Sequence, residues 1–208
     1  MPRPNHRTRQ QFSQRHQLSI FSIAAIALIA TFSIFGCGKM GGGNSMHVKS
    51  AATSDKDLPV KSSYAFAVTK SFTDINNKIT TASAYNVYAA NYDLDANNFA
   101  MTMDKPLTSE DQVRVVFSLI GDQGTNDKSP PKAGTYSAKA DKFMKVESVS
   151  IVARKGGADV KSWLDRSMLS GEVKVTSASA DEIRGDVDLS SGDSSLKGSF
   201  TAKILKRK

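Results

Sequence analysis

The chain has 208 residues, with 28 Lys and Arg against 20 Asp and Glu, a formal charge of +8, three histidines and one cysteine. That length accommodates one domain of ordinary size, about 100–200 residues, and a single cysteine excludes an internal disulfide framework or a Cys-based zinc cluster. A basic balance indicates nucleic acid only when it is spread over one folded surface. Here Arg3, Arg7, Arg9 and Arg15 precede any acid, and the first carboxylate is Asp55.

Residues 1–17 carry four arginines, and residues 18–36, LSIFSIAAIALIATFSIFG, run for nineteen positions without a charge. This is a positive n-region followed by an apolar h-region. It ends at Ile34-Phe35-Gly36-Cys37, where a small residue precedes the only cysteine of the chain. The segment resembles the signal peptide and lipobox of bacterial lipoproteins. The resemblance implies that the Cys37 thiol is alkylated by a diacylglycerol and that Ile34, Phe35 and Gly36 are read by the signal peptidase. It further implies cleavage before Cys37, acylation (the palmitate type of anchor), and location in the cell envelope. Gly38 after the cysteine, rather than Asp, resembles the default sorting to the outer membrane where there are two membranes. The alternative is an uncleaved transmembrane anchor, because nineteen residues at about 1.5 Å each just span a hydrocarbon core of roughly 30 Å. Both place the arginines in the cytoplasm and the rest of the chain outside it.

Residues 37–62 are rich in Gly, Ser, Ala, Asp and Lys, and are expected to form a lipidated cysteine and flexible tether. From 63 to 208 a period of two dominates. Tyr64, Phe66 and Val68 alternate with smaller residues, Thr73–Asn77 supplies a turn, and a long run extends from Lys78 to Tyr92. Phe99, Met101 and Met103 alternate again, and Val113, Val115, Phe117 and Leu119 form the clearest strand. Pro130-Pro131 marks a loop entering a strand near Tyr136, because two prolines cannot sit in a central ladder. Another strand is expected from Val146 to Ala153. Val160, Trp163, Leu164 and Met168 fall at helical spacing, which predicts one short helix over 157–168. Three strands follow, at 171–177, 182–189 and 196–204, with turns at Asp181-Glu182 and Gly192-Asp193-Ser194. The expectation is an all-β antiparallel sandwich or barrel with one short helix, preceded by a signal or anchor helix. In texture this part resembles, loosely, small bacterial lipoprotein domains of β-sandwich or lipocalin-like type.

The chemistry available is narrow. His6 and His16 lie in the n-region, leaving His47 in the expected tether, so a His-dependent triad or a His and Cys zinc site has no scaffolded imidazole. Two Ser-x-x-Lys matches, Ser129 to Lys132 and Ser194 to Lys197, lack the companion motifs and helical context of penicillin-interacting enzymes. Asp93, Asp95 and Asn97 have the alternation of a calcium loop, but Asn98 stands where Gly allows the turn and Asp104 where a bidentate Glu closes the shell. Asp186 and Asp188 share one strand face, a spacing that permits paired-carboxylate chemistry but comes with any alternating strand. Gly41-Gly42-Gly43 lacks the strand-to-helix context of a phosphate loop. Tyr85, Tyr88, Tyr92 and Phe99 could line a pocket, though strands use aromatics for ordinary packing. Lys203, Lys206, Arg207 and Lys208 form a basic tail suited to anionic lipid heads or acidic envelope polymer rather than nucleic acid.

The expected function is therefore an extracytoplasmic lipoprotein, non-catalytic and without cofactor or metal, bound to the lipid bilayer through Cys37. It would serve as a binding or structural module of the envelope. Alternatives are a lipocalin-like carrier of a small apolar ligand and a carbohydrate-active enzyme using paired carboxylates. Removing residues 1–36 reduces the charge to +4, omitting the tether gives +2, and setting the four tail bases aside gives −2. The basic character thus belongs to the ends of the chain.

Overall fold

The computed structural model describes residues 44–98 and 105–206. The expected signal peptide, the residues Ile34, Phe35, Gly36 and Cys37, the alternation at Phe99–Met103, and Arg207 and Lys208 lie outside the described residues. Among the described residues eleven strands follow in chain order: β1 Ser45–Ser50, β2 Ser54–Pro59, β3 Ser62–Thr73, β4 Ile79–Ala90, β5 Val113–Ile120 and β6 Gly134–Ser137. After them come β7 Lys145–Lys155, β8 Ala158–Trp163, β9 Ser170–Ala178, β10 Glu182–Ser191 and β11 Ser194–Ile204. The described residues contain no helix, so none is long and apolar enough to cross a membrane.

Eight strands close a β-barrel in the order β10, β9, β6, β7, β5, β4, β3, β11 and back to β10. Most neighbours are antiparallel. The two exceptions are short parallel seams, Lys203 and Ile204 of β11 beside Tyr64 and Ala65 of β3, and Ser137 of β6 beside Lys145 of β7. These seams divide the wall into a first sheet of β3, β4, β5 and β7, extended by β8, and a second of β6, β9, β10 and β11, extended by β1 and β2.

Strict alternation makes this wall. On β10, Ile183, Val187 and Leu189 are buried while Arg184, Asp186 and Asp188 are exposed, so a one-residue slip would turn the apolar set outward. Val113, Val115, Phe117 and Leu119 of β5 meet Leu196, Phe200 and Ala202 of β11 in one interior cluster with Tyr85, Val87, Tyr136 and Ile151. The lumen is filled by these side chains. Two tyrosines tie down one loop at its end: Tyr85 Oη donates to the Ser129 carbonyl and Tyr136 Oη to the Lys132 carbonyl at 3.0 Å, with Pro131 buried between those residues in sequence.

Two expectations are corrected. The helix over 157–168 is the strand β8 followed by a turn. Gly156 and Gly157 both have positive φ, 58° and 80°, and make the two-residue turn that folds β8 back onto β7. Val160 then faces the core and Trp163 the outside, so the three-residue spacing of these two apolar residues is accidental to the pleat. The tether does not extend to residue 62 either. β1 and β2 pair with each other, and β1 pairs with β11, so the second sheet begins at Ser45 and not at 63. Met46, Val48 and Leu58 join the core from this hairpin.

Candidate functional site

The outer faces of the two sheets differ in kind. Outside the second sheet stand Glu172, Lys174, Arg184, Asp186, Asp188, Lys197 and Lys203, all exposed. Asp188 is bridged by Lys197 of the next strand at 3.1 Å, and Lys206 by Asp181 at 2.9 Å. Asp186 and Asp188 therefore sit on an open, solvated face rather than in a cleft. Lys197 of the second Ser-x-x-Lys match is this same bridge, and Lys132 of the first pairs with Asp122 at 2.6 Å.

Many outward positions of the first sheet are instead apolar and buried. Ala82, Ala84, Tyr88 and Ala90 of β4, Ile120 of β5 and Val152 of β7 are all at most 8% exposed. Phe66 stacks on Tyr88 at 5.8 Å between centroids, and Phe72 meets Phe143 edge to face at 5.4 Å. Part of the cover is the connection between β4 and β5, twenty-two residues where adjacent antiparallel strands need about two to five. Leu94 from this connection packs on Tyr88 and Ala90, and Leu107 is 2% exposed. Leu107 is pinned at both backbone groups: its N–H donates to Asp159 Oδ2 at 2.9 Å and its carbonyl accepts from Arg154 Nη1 at 2.6 Å.

Beside that cover a groove of about 160 Å³ crosses β4, β5, β7 and β8. Its polar lining is Asn86, Arg114, Ser148, Ser150 and Lys161, with Tyr88, Val116, Val152 and Trp163 supplying apolar surface. Alternation places these side chains together, since Asn86 and Tyr88, Arg114 and Val116, Ser148, Ser150 and Val152, and Lys161 and Trp163 are all outward positions of neighbouring strands. Trp163 is 58% exposed, and Lys161 Nζ lies 4.3 Å from its ring centroid.

Arg114 is the unusual member. It is 5% exposed, and Nη1 donates to Tyr92 Oη at 3.1 Å and to the Lys105 carbonyl at 3.3 Å. Its Nε–H is buried without an acceptor, and among the described residues no carboxylate pairs with the guanidinium. Buried cations are ordinarily paired, and an orphaned buried donor costs about 1–3 kcal/mol. The nearby acid Asp159 is already engaged, with Arg154 at 3.2 Å and with the Leu107 amide. Burial pushes the Tyr92 hydroxyl above its ordinary pKa, opposed by the adjacent Arg114 charge, which keeps the phenol neutral as an acceptor.

The residues singled out in the sequence are dispersed over the fold. Tyr85 belongs to the core, Tyr88 to the groove and Tyr92 to its rim, while Phe99 lies outside the described residues. Asp93 pairs with Lys61 at 2.8 Å, and Asp95 Oδ1 accepts the amides of Asn97 and Asn98, which is turn chemistry. His47 of β1 lies between Asp57 (Nδ1 to Oδ1, 2.8 Å) and Asp55 (Nε2 to Oδ1, 2.5 Å) of β2, and hydrogen bonds to Asp57 and then Asp55 raise its pKa above 6.5. Among the described residues no group of three or more His, Cys, Asp and Glu is placed to hold a metal ion.

Sequence reasoning missed Arg114, Ser148, Ser150, Lys161 and Trp163. Two signs were present: an arginine inside the largely apolar Val113–Leu119 run, and a long connection between two strong strands. Comparison with protein families, with characterised proteins and with solved structures finds no match.

Proposed function

We propose that this chain is a lipoprotein of the bacterial envelope, held by acylated Cys37 outside the cytoplasm, whose barrel is a non-catalytic binding module. The observation that carries the binding role is the contrast between the two outer faces. One is a solvated polar surface on which some charges are paired; the other is largely buried, partly covered by a long connection, and contains a groove with a buried arginine whose Nε lacks an acceptor and a half-exposed tryptophan. Such concave surfaces with a few convergent polar groups are where ligands bind. The packed lumen favours an external site over the carrier reading, in which an apolar ligand would sit among Tyr85, Phe117, Tyr136 and Phe200.

Anchor and module are tested separately. Cells fed labelled palmitate are expected to label the wild-type chain and not Cys37→Ala; equal labelling would remove the anchor. For the module, solubilised envelope polysaccharide is titrated against the full-length chain in detergent, reading the emission of Trp163, the only tryptophan of the chain. A saturable change is expected, and an unchanged spectrum would remove the groove as its binding surface.

A further inference from the structure

We infer that the groove on the first sheet binds a pyranose ring carrying a carboxylate, an acidic monosaccharide unit. This rests on the binding role proposed above and specifies its ligand.

Charge is the first argument. The nine lining residues include two cations, Arg114 and Lys161, and no acid. The neighbouring carboxylate of Asp159 on β8 is consumed by Arg154. Arg114 is 5% exposed, its Nε lacks an acceptor and no carboxylate among the described residues pairs with it, which makes it a preorganised anion receptor. Its orientation is fixed by Tyr92 and the Lys105 carbonyl, so an arriving carboxylate meets a donor already in place.

Charge alone would serve phosphate equally, and the rest of the lining discriminates. Trp163 on β8 and Tyr88 on β4 give the groove an aromatic edge and floor, while Asn86, Ser148 and Ser150 offer an amide and two hydroxyls between them. A sugar ring is apolar on its C–H faces and polar around its rim. It needs that combination, whereas inorganic phosphate has no apolar face to present. Size agrees: about 160 Å³ equals the volume of about five waters at ~30 Å³ each, room for one ring and not for an oligosaccharide. The openness of Trp163 to solvent lets the ring belong either to a free sugar acid or to a unit within a polymer.

The test is titration of the full-length chain in detergent with D-glucuronate, D-glucose, acetate and phosphate, following Trp163 emission, with an acidic polysaccharide of glucuronate units as a further arm. Glucuronate is expected to saturate, with glucose and acetate each roughly ten-fold weaker or more, because each lacks one half of the recognition. A polymer that outcompetes the monomer identifies a chain unit as the source; equal affinity per unit identifies the free acid. Lys161→Gln, on an exposed side chain, is expected to weaken glucuronate several-fold more than it weakens glucose. Arg114→Gln should abolish the difference between them, with the circular dichroism spectrum confirming that the barrel has formed. If Arg114→Gln does not fold, Lys161→Gln still decides. Equal binding of glucose, or of acetate or phosphate, overturns the acidic-sugar assignment. A response to envelope polysaccharide but not to any uronate overturns the assignment and leaves the binding role standing, and no response to either removes both.

Discussion

Phe117 of β5 and Phe200 of β11 meet edge to face at 5.1 Å between centroids, one from each sheet of the barrel wall. Both are at most 1% exposed, so this contact joins the two sheets through the lumen, between the two narrow parallel seams. Either ring replaced by alanine is expected to cost about 3–5 kcal/mol in denaturant unfolding. The double variant should cost less than the sum by about 0.5–1.5 kcal/mol, the coupling of an aromatic pair. Strict additivity would show that the rings do not act on each other.

Close backbone approach makes Gly198 necessary. Its φ is 131°, and an added Cβ would run into the Ser45 carbonyl and Met46 of β1, where β1 joins the second sheet. Gly198→Ala is expected to destabilise by about 2 kcal/mol or more, whereas Gly156→Ala, also at positive φ but with open space around it, should cost about 1 kcal/mol. Chemical denaturation of the two variants checks the order; a milder effect at Gly198 would contradict the β1–β11 register.

The tyrosines that fasten the Ser129–Lys132 loop give a prediction at high pH. Burial, the dominant cause, pushes both Tyr85 and Tyr136 up to about 12. Between pH 10 and 12 the unfolded chain has lost phenolic protons that the folded chain retains. The stability these groups contribute is therefore complete below pH 10 and lost as pH rises through 12, at about 1.4 kcal/mol per pKa unit for each. Ultraviolet titration should show Tyr85 and Tyr136 ionising late and together with unfolding, with Tyr92 also raised above its ordinary value. Normal titration of all five tyrosines would contradict the burial of Tyr85 and Tyr136.

At the other end of the pH scale, His47 is flanked by Asp57 and Asp55, and the hydrogen bond to Asp57 is the larger cause of its raised pKa. Proton NMR, with the resonance assigned by its loss in His47→Gln, should give a midpoint above 6.5 that falls in both Asp57→Asn and Asp55→Asn. A group raised in the folded state stabilises below the unfolded pKa. The β1–β2 hairpin is thus firmest at mildly acidic pH and loses this contribution as pH rises through the raised value. An unshifted midpoint would separate β1 from β2.

Most of the barrel was legible because its strands alternate cleanly. Val113 to Leu119, Val146 to Ala153 and the three C-terminal strands appear within a few residues of their sequence limits. β1 and β2 were not legible. SMHVKS and SDKDLP bury only three apolar side chains, Met46, Val48 and Leu58, among polar and charged neighbours, and after a glycine run they have the composition of a tether. β8 was mistaken for a helix because Val160, Trp163 and Leu164 happen to match a 3.6 period; Gly156-Gly157, a hairpin turn sequence, was the stronger sign. The groove was hidden for a different reason. Arg114 and Trp163 are forty-nine residues apart, and only the pairing of β5 and β8 on either side of β7 brings them to one surface.

The central claim, that the outer face of the first sheet holds the ligand site, is tested most directly by mapping amide chemical shifts during titration of the isotope-labelled full-length chain with D-glucuronate. The account predicts that Arg114, Ser150, Lys161 and Trp163, including the indole N–H, move together, while Lys174, Asp186 and Lys197 on the second sheet stay in place. Shifts confined to the second sheet, or reported from interior positions such as Phe117 and Leu196, would contradict it.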